Sequence, residues 1–190
     1  MVRQHASMQW LVACSTLFAL SGCMPKMTVD QLRQMRPARP PQLDRLDAFV
    51  GKWSFEGQAK MAMLDTPIEV TGSNEAQWDG DRWYVVSRGL FHMGELGDMQ
   101  GIETWTYDAH AKTYRSTWVD NMGSVGSGKM HYDADEKEWE VLASSHGPHG
   151  KTWMKGELRF IDDDTLEWSM TEYSGLTKTM EMTGTSRRQK

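Results

Sequence analysis

Cysteine is nearly missing from this chain of 190 residues: there are two, Cys14 and Cys23, and none beyond position 23. A domain built from the remainder has no disulfide, no thiol nucleophile and no zinc–thiolate site, so its own core must hold it together. Long apolar runs are lacking too. The longest, Trp10 to Leu20, is shorter than the ~20 residues needed to cross a bilayer. Positive charge is in deficit, with a formal net charge of −5 and no basic stripe, which argues against a nucleic-acid partner. No Gly-x-Ser-x-Gly, His-Glu-x-x-His or phosphate-loop motif occurs. Asp162-Asp163-Asp164 has neither the glycine nor the distant glutamate of a calcium loop and reads as a charged hairpin tip. The sequence therefore assigns no catalytic residue, no metal and no cofactor.

The first residues read as a targeting segment. Arg3 and His5 give a polar start, an apolar run comes next, and Leu20-Ser21-Gly22-Cys23 closes it. That ending resembles the lipobox of bacterial lipoproteins. The resemblance implies a signal peptide over 1–22 and an acylated Cys23 as first mature residue, with the membrane as a partner through the lipid anchor. More than one acyl chain is needed for stable attachment. Met24 rather than Asp after the cysteine implies the outer membrane, facing the periplasm. Losing Arg3 with the signal moves the net charge from −5 to −6.

Residues 23–41 read as a tether. Thr28 and Gln31 are spaced for a capping box on one short helix ended before Pro37, and Pro37, Pro40 and Pro41 stiffen the stretch after it. Leu43, Leu46, Phe49 and Val50 then fall at helical spacing, with Gly51 to end that helix.

From Trp53 the period changes to two. Trp53, Phe55, Gly57, Ala59, Met61 and Met63 share one face, and polar residues occupy the other. Further alternating segments carry Trp83/Val85, Trp105/Tyr107, Tyr114/Ser116/Trp118, Met130/Tyr132, Trp139/Val141, Leu166/Trp168/Met170 and Met180/Met182, separated by Asp- and Gly-rich turn signals. About ten strands with short connections and no helix between them must pair antiparallel. Closure removes the exposed edges of such a meander. The expectation is an all-β domain over 42–190: a single antiparallel up-and-down barrel of about ten strands with a short N-terminal helix.

Eight of the nine tryptophans lie after position 22, and thirteen of the fifteen methionines at or after Met24. Trp53, Phe55, Met61, Trp83, Trp105, Tyr114, Trp118, Trp139, Trp168 and Met170 are the candidates for the barrel interior. They either fill a solid core, where each aromatic buries on the order of 200 Å², or line a cavity for an apolar guest. His92, His110, His131, His146 and His149 cannot be placed on the inner face; the His146-Gly147-Pro148-His149 pair is close enough to hold a metal, but such a loop is more often simply a solvated turn. Glu103, Asp108, Asp120 and Glu172 are carboxylates that could be paired in space; Asp108 and Asp120 stand where an aspartate closes a turn.

Gly51-Lys52-Trp53, at the start of the first strand, resembles the Gly-x-Trp opening of lipocalins and their calycin relatives. That resemblance implies a tryptophan closing one barrel end with an arginine from the last strand across it; by parity with Met180 and Met182, Arg188 fits better than Arg187. Over residues 43–188 the chain is similar to the bacterial lipocalin-like family known as domain of unknown function 1579. The residues that carry this are Leu46, Gly51, Trp53, Trp78, Gly80-Asp81-Arg82-Trp83, Gly101 to Asp108, Lys112, Tyr114, Trp118 and Asp120. Thr106 stands where the family usually has glycine. Three readings remain open at this point. The barrel binds a small apolar ligand such as a lipid, or it is a filled scaffold whose loops contact an envelope partner, or it carries an uncharacterised enzyme. A hollow interior favours the first and a solid one the second.

Overall fold

The computed structural model describes residues 26–190; the signal segment and Cys23 lie outside the described residues. Two units are distinguished, up to Ala38 and from Arg39 onward. In the first, α1 (Val29–Gln34) starts at a complete capping box: the Thr28 hydroxyl accepts from the Gln31 N–H, and the Gln31 side chain accepts from the Thr28 N–H. Asp30 in the first turn also pairs with Arg33 at 3.1 Å.

The second unit is a closed barrel of ten antiparallel strands in which every strand pairs with its sequence neighbours and β1 closes on β10. The strands are β1 (Gly51–Met61), β2 (Ile68–Asp79), β3 (Tyr84–His92), β4 (Asp98–Asp108), β5 (Thr113–Asp120), β6 (Val125–Asp133), β7 (Glu138–Gly147), β8 (Gly150–Asp162), β9 (Thr165–Ser174) and β10 (Thr177–Arg188). The antiparallel barrel expected from the alternation is thus the observed one.

A nine-residue helix (Pro41–Phe49) precedes β1. It is 3₁₀ rather than α: proline stands at its start, and no side chain caps its N-terminus. Its buried residues Leu43, Leu46 and Phe49 plug one end of the barrel. Phe49 is the hub of that end, with ring centroids 5.2–5.3 Å from Trp105, Trp139 and Phe160. Tyr114 and Tyr132 complete the layer by packing on Trp139.

Polar contacts fasten the plug. The Tyr114 hydroxyl donates to the Gln42 carbonyl at 2.8 Å, and the Trp53 indole N–H donates to the Phe49 carbonyl at 3.0 Å. Asp47 accepts from the Trp78 indole at 2.6 Å and from Arg82 at 2.7 Å. Gly80, Asp81 and Arg82 all have positive φ, and this tight turn aims Arg82 back at the helix. Arg188 lies 4.2 Å over the Trp53 ring and donates to the carbonyls of Ala48, Val50 and Asp163. Gly51 has φ +135°, and a Cβ there would meet the Arg188 guanidinium at 2.6 Å, so the glycine is needed for that arginine to seat.

The hairpins at the plugged end are closed by aspartates. Asp108 accepts from the N–H groups of His110 and Ala111, and Asp133 from those of Asp135 and Glu136. These bonds hold both carboxyls below the usual aspartate range. At the opposite end, Asp120 caps the β5–β6 turn by accepting from Met122 and Ser124.

Candidate functional site

The plug fills only one end of the barrel. Beyond it lies a cavity of about 440 Å³ that opens at the other end. A second depression, on the outer wall over Ile102, Val119 and Val125, is shallow and faces solvent.

Of the ten residues expected inside, Trp53, Phe55, Trp105, Trp118, Trp168 and Met170 lie on the cavity wall. Trp83, Tyr114 and Trp139 do not: they belong to the packed layer around the plug, where Trp139 is 1% exposed. Alternation gives the face of a strand, not the height along the barrel. Met61 ends β1 away from the wall, and Met63, read as continuing the inner face, is 86% exposed because the strand has already stopped. Phe91, Met99, Met154 and Met182 also line the cavity.

The cavity aromatics are seated in a particular way. Phe55 is paired across strands with Gly72, Trp118 with Gly126, and Trp168 with Gly184. A Cβ on any of these glycines would overlap the facing ring. Each ring therefore lies flat along the wall, over a position with no side chain, instead of projecting to the axis. Gly72 is also opposite Phe91, whose ring centroid is 4.7 Å from that of Phe55.

The polar side chains on the wall are serines, one asparagine and three acids. Asn74 donates to the Ser87 hydroxyl at 3.2 Å, Ser87 is paired with Glu103, and Ser116 stands opposite Trp105. Glu103 is the most perturbed acid of the barrel. Burial pushes its carboxyl from 4.5 up to about 7, against the opposing effect of hydrogen bonds from Trp105 and Ser116. Glu172, nearer the mouth, accepts from the hydroxyls of Thr152 at 3.0 Å and Thr179 at 2.9 Å. Glu103 shares parity with Trp105 and Tyr107, and that spacing was the available signal for an inward carboxyl. Asp120 and Glu172 line the same space as Glu103, whereas Asp108 belongs to its turn.

None of the five histidines after position 22 is on the cavity wall. His92 pairs with Asp98 at 2.8 Å at the rim, and His146 lines the outer depression. Trp153 is outside as well, stacked on Tyr173 with centroids 4.1 Å apart. Among the described residues no group of three or more His, Cys, Asp or Glu converges on one point.

A closed antiparallel barrel with one plugged end, a Gly-x-Trp opening and an arginine over the tryptophan defines a calycin-like, lipocalin-like protein. The family model described as protein of unknown function (DUF1579) matches residues 41–188, and the chain belongs to that family. No curated protein matches significantly. Two solved structures share the fold. One is Rv2717c from M. tuberculosis, with a TM-score of 0.61 and 14% identity, over 80% of this chain and 100% of that one. The other is the S-type phycobiliprotein lyase CPES from Guillardia theta, with a TM-score of 0.55 and 10% identity, over 80% of this chain and 94% of that one.

Proposed function

We propose that this protein is a binding module of the bacterial envelope that takes a small, largely apolar ligand, such as a lipid, into its barrel. The observation that carries the reading is the cavity of about 440 Å³, walled largely by aromatic, methionine and aliphatic side chains with serines, an asparagine and three acids among them. Its size falls in the range of small-molecule sites, and an apolar wall with a few orienting polar groups is their usual composition. In a filled scaffold, side chains would occupy that volume.

The mouth supports the same reading. Each of four loops there presents an exposed apolar tip: Met63, Leu96, Met122 and Leu176, the last 98% exposed. Such tips give an apolar guest a path between a lipid surface and the interior. The hairpin tips of the plugged end carry Asp81, Asp108, Asp133 and Asp163 instead. Acylation at Cys23 and a position at the outer membrane, facing the periplasm, complete the proposal; both rest on the lipobox-like segment.

Native mass spectrometry of the mature protein purified from cells should show a bound small molecule that organic extraction removes. Trp105, Trp118 and Trp168 should change fluorescence when an apolar ligand is added back. Protein that is always ligand-free and silent to every apolar probe refutes the reading.

A further inference from the structure

Among the described residues the cavity wall contains three ionisable side chains, Glu103, Asp120 and Glu172, and no Lys, Arg, His or Tyr. The acids are not equivalent. The Asp120 carboxylate is engaged by the backbone N–H groups of Met122 and Ser124, and Glu172 by two threonine hydroxyls. Glu103 is deepest, towards the plug layer, on the same strand face as Trp105 and with Ser87 and Trp118 as its register partners on β3 and β5. The groups facing it from the flanking strands are Ser87 on β3 and Ser116 and Trp118 on β5, none of them charged at neutral pH. The nearby arginines serve elsewhere: Arg115 pairs with Asp108 on the outside, and Arg188 is over Trp53.

A half-buried carboxyl without a cation, in an acid-only pocket, is complementary to a positive group and repels a negative one. We infer that the ligand is an amphiphilic amine, with its apolar body along the aromatic and methionine wall and its ammonium group hydrogen-bonded to Glu103. A fatty-acid carboxylate finds no cation here and would meet three acids. This rests on the reading of the barrel as a binding module and narrows its ligand class.

Below about pH 7 Glu103 carries a proton. Binding an ammonium group forms the ammonium–carboxylate pair and releases that proton to solvent, so affinity rises with pH until Glu103 is ionised in the free protein.

The test compares dodecylamine, dodecanol and dodecanoate by isothermal titration calorimetry with the full mature protein, at pH 6 and pH 8. Dodecylamine should bind roughly tenfold more tightly at pH 8 than at pH 6 and release close to one proton at pH 6. Dodecanol should bind with no pH dependence, and dodecanoate more weakly than dodecanol. Glu103→Gln should cost dodecylamine roughly ten- to a hundredfold at pH 8 and abolish its pH dependence, because a charge-assisted bond becomes a neutral one. It should change dodecanol affinity by far less than this, and an unchanged circular dichroism spectrum shows that the variant is folded. Equal binding of dodecylamine by wild type and Glu103→Gln, or dodecanoate binding tighter than dodecanol, overturns the amine assignment alone. No binding of dodecanol or dodecylamine overturns the binding-module reading with it.

Discussion

Replacing Glu103 by glutamine should make the barrel more stable at pH 8 and change little at pH 5. The carboxyl titrates at about 7 in the folded protein against 4.5 when solvated, because the barrel wall strips its water. Between those values the native state holds a proton that the unfolded chain has lost, so stability is fully present below pH 4.5 and declines as pH rises through 7. A tenfold change in proton affinity is worth ~1.36 kcal/mol, which puts the total loss at about 3 kcal/mol. For a domain of this size that corresponds to about 6–12 °C in melting temperature. Glutamine keeps the shape and the hydrogen-bonding capacity but never ionises. Urea unfolding of wild type and Glu103→Gln at pH 5, 6, 7 and 8 should therefore give midpoints that separate progressively, with the variant higher at alkaline pH. Parallel curves would show that the carboxyl is solvated in the native state.

The frame of the barrel can be probed in the same way. Phe49→Ala removes the ring shared by Trp105, Trp139 and Phe160 and should cost about 3–5 kcal/mol in urea unfolding. Arg188→Ala leaves the Ala48, Val50 and Asp163 carbonyls without their donor and uncovers Trp53; a loss of about 2–4 kcal/mol is expected, with Arg188→Lys recovering only part because an ammonium cannot reproduce the fork. Gly126→Ala forces the Trp118 indole off the wall, so ligand affinity should fall by more than stability does, read by titration and unfolding on the same sample.

The architecture was legible because burial on one side of a curled sheet imposes a two-residue period, and Trp53/Phe55, Leu166/Trp168/Met170 and Met180/Met182 show it without interruption. The capping box at Thr28 and Gln31 was equally plain, since both partners are local. Height along the axis was not legible. Trp118 and Tyr114 share a face of β5, yet one borders the hollow and the other locks the plug, and only the three-dimensional position of the Pro41–Phe49 helix separates them. The stacking of Trp153 on Tyr173 was hidden for a similar reason, because it depends on the β8–β9 register. Parity with Trp105 and Tyr107 puts Glu103 on an inward position, but that it is unneutralised requires knowing that, among the described residues, no arginine reaches the cavity wall.

The glycines opposite Phe55, Trp118 and Trp168 mean that the hollow is carved by omission. Room at the axis comes from side chains that are missing one strand away, so the bulk of an admitted guest is governed from outside the set of atoms it would touch. A single methyl at Gly126 would swing the Trp118 indole inward and reshape the chamber without altering the chemistry of its lining, whereas at Gly72 or Gly184 it would also press on the backbone carbonyls of Leu90 or Glu56. Selectivity in such a barrel can thus drift through its smallest residues while its aromatic surface stays the same.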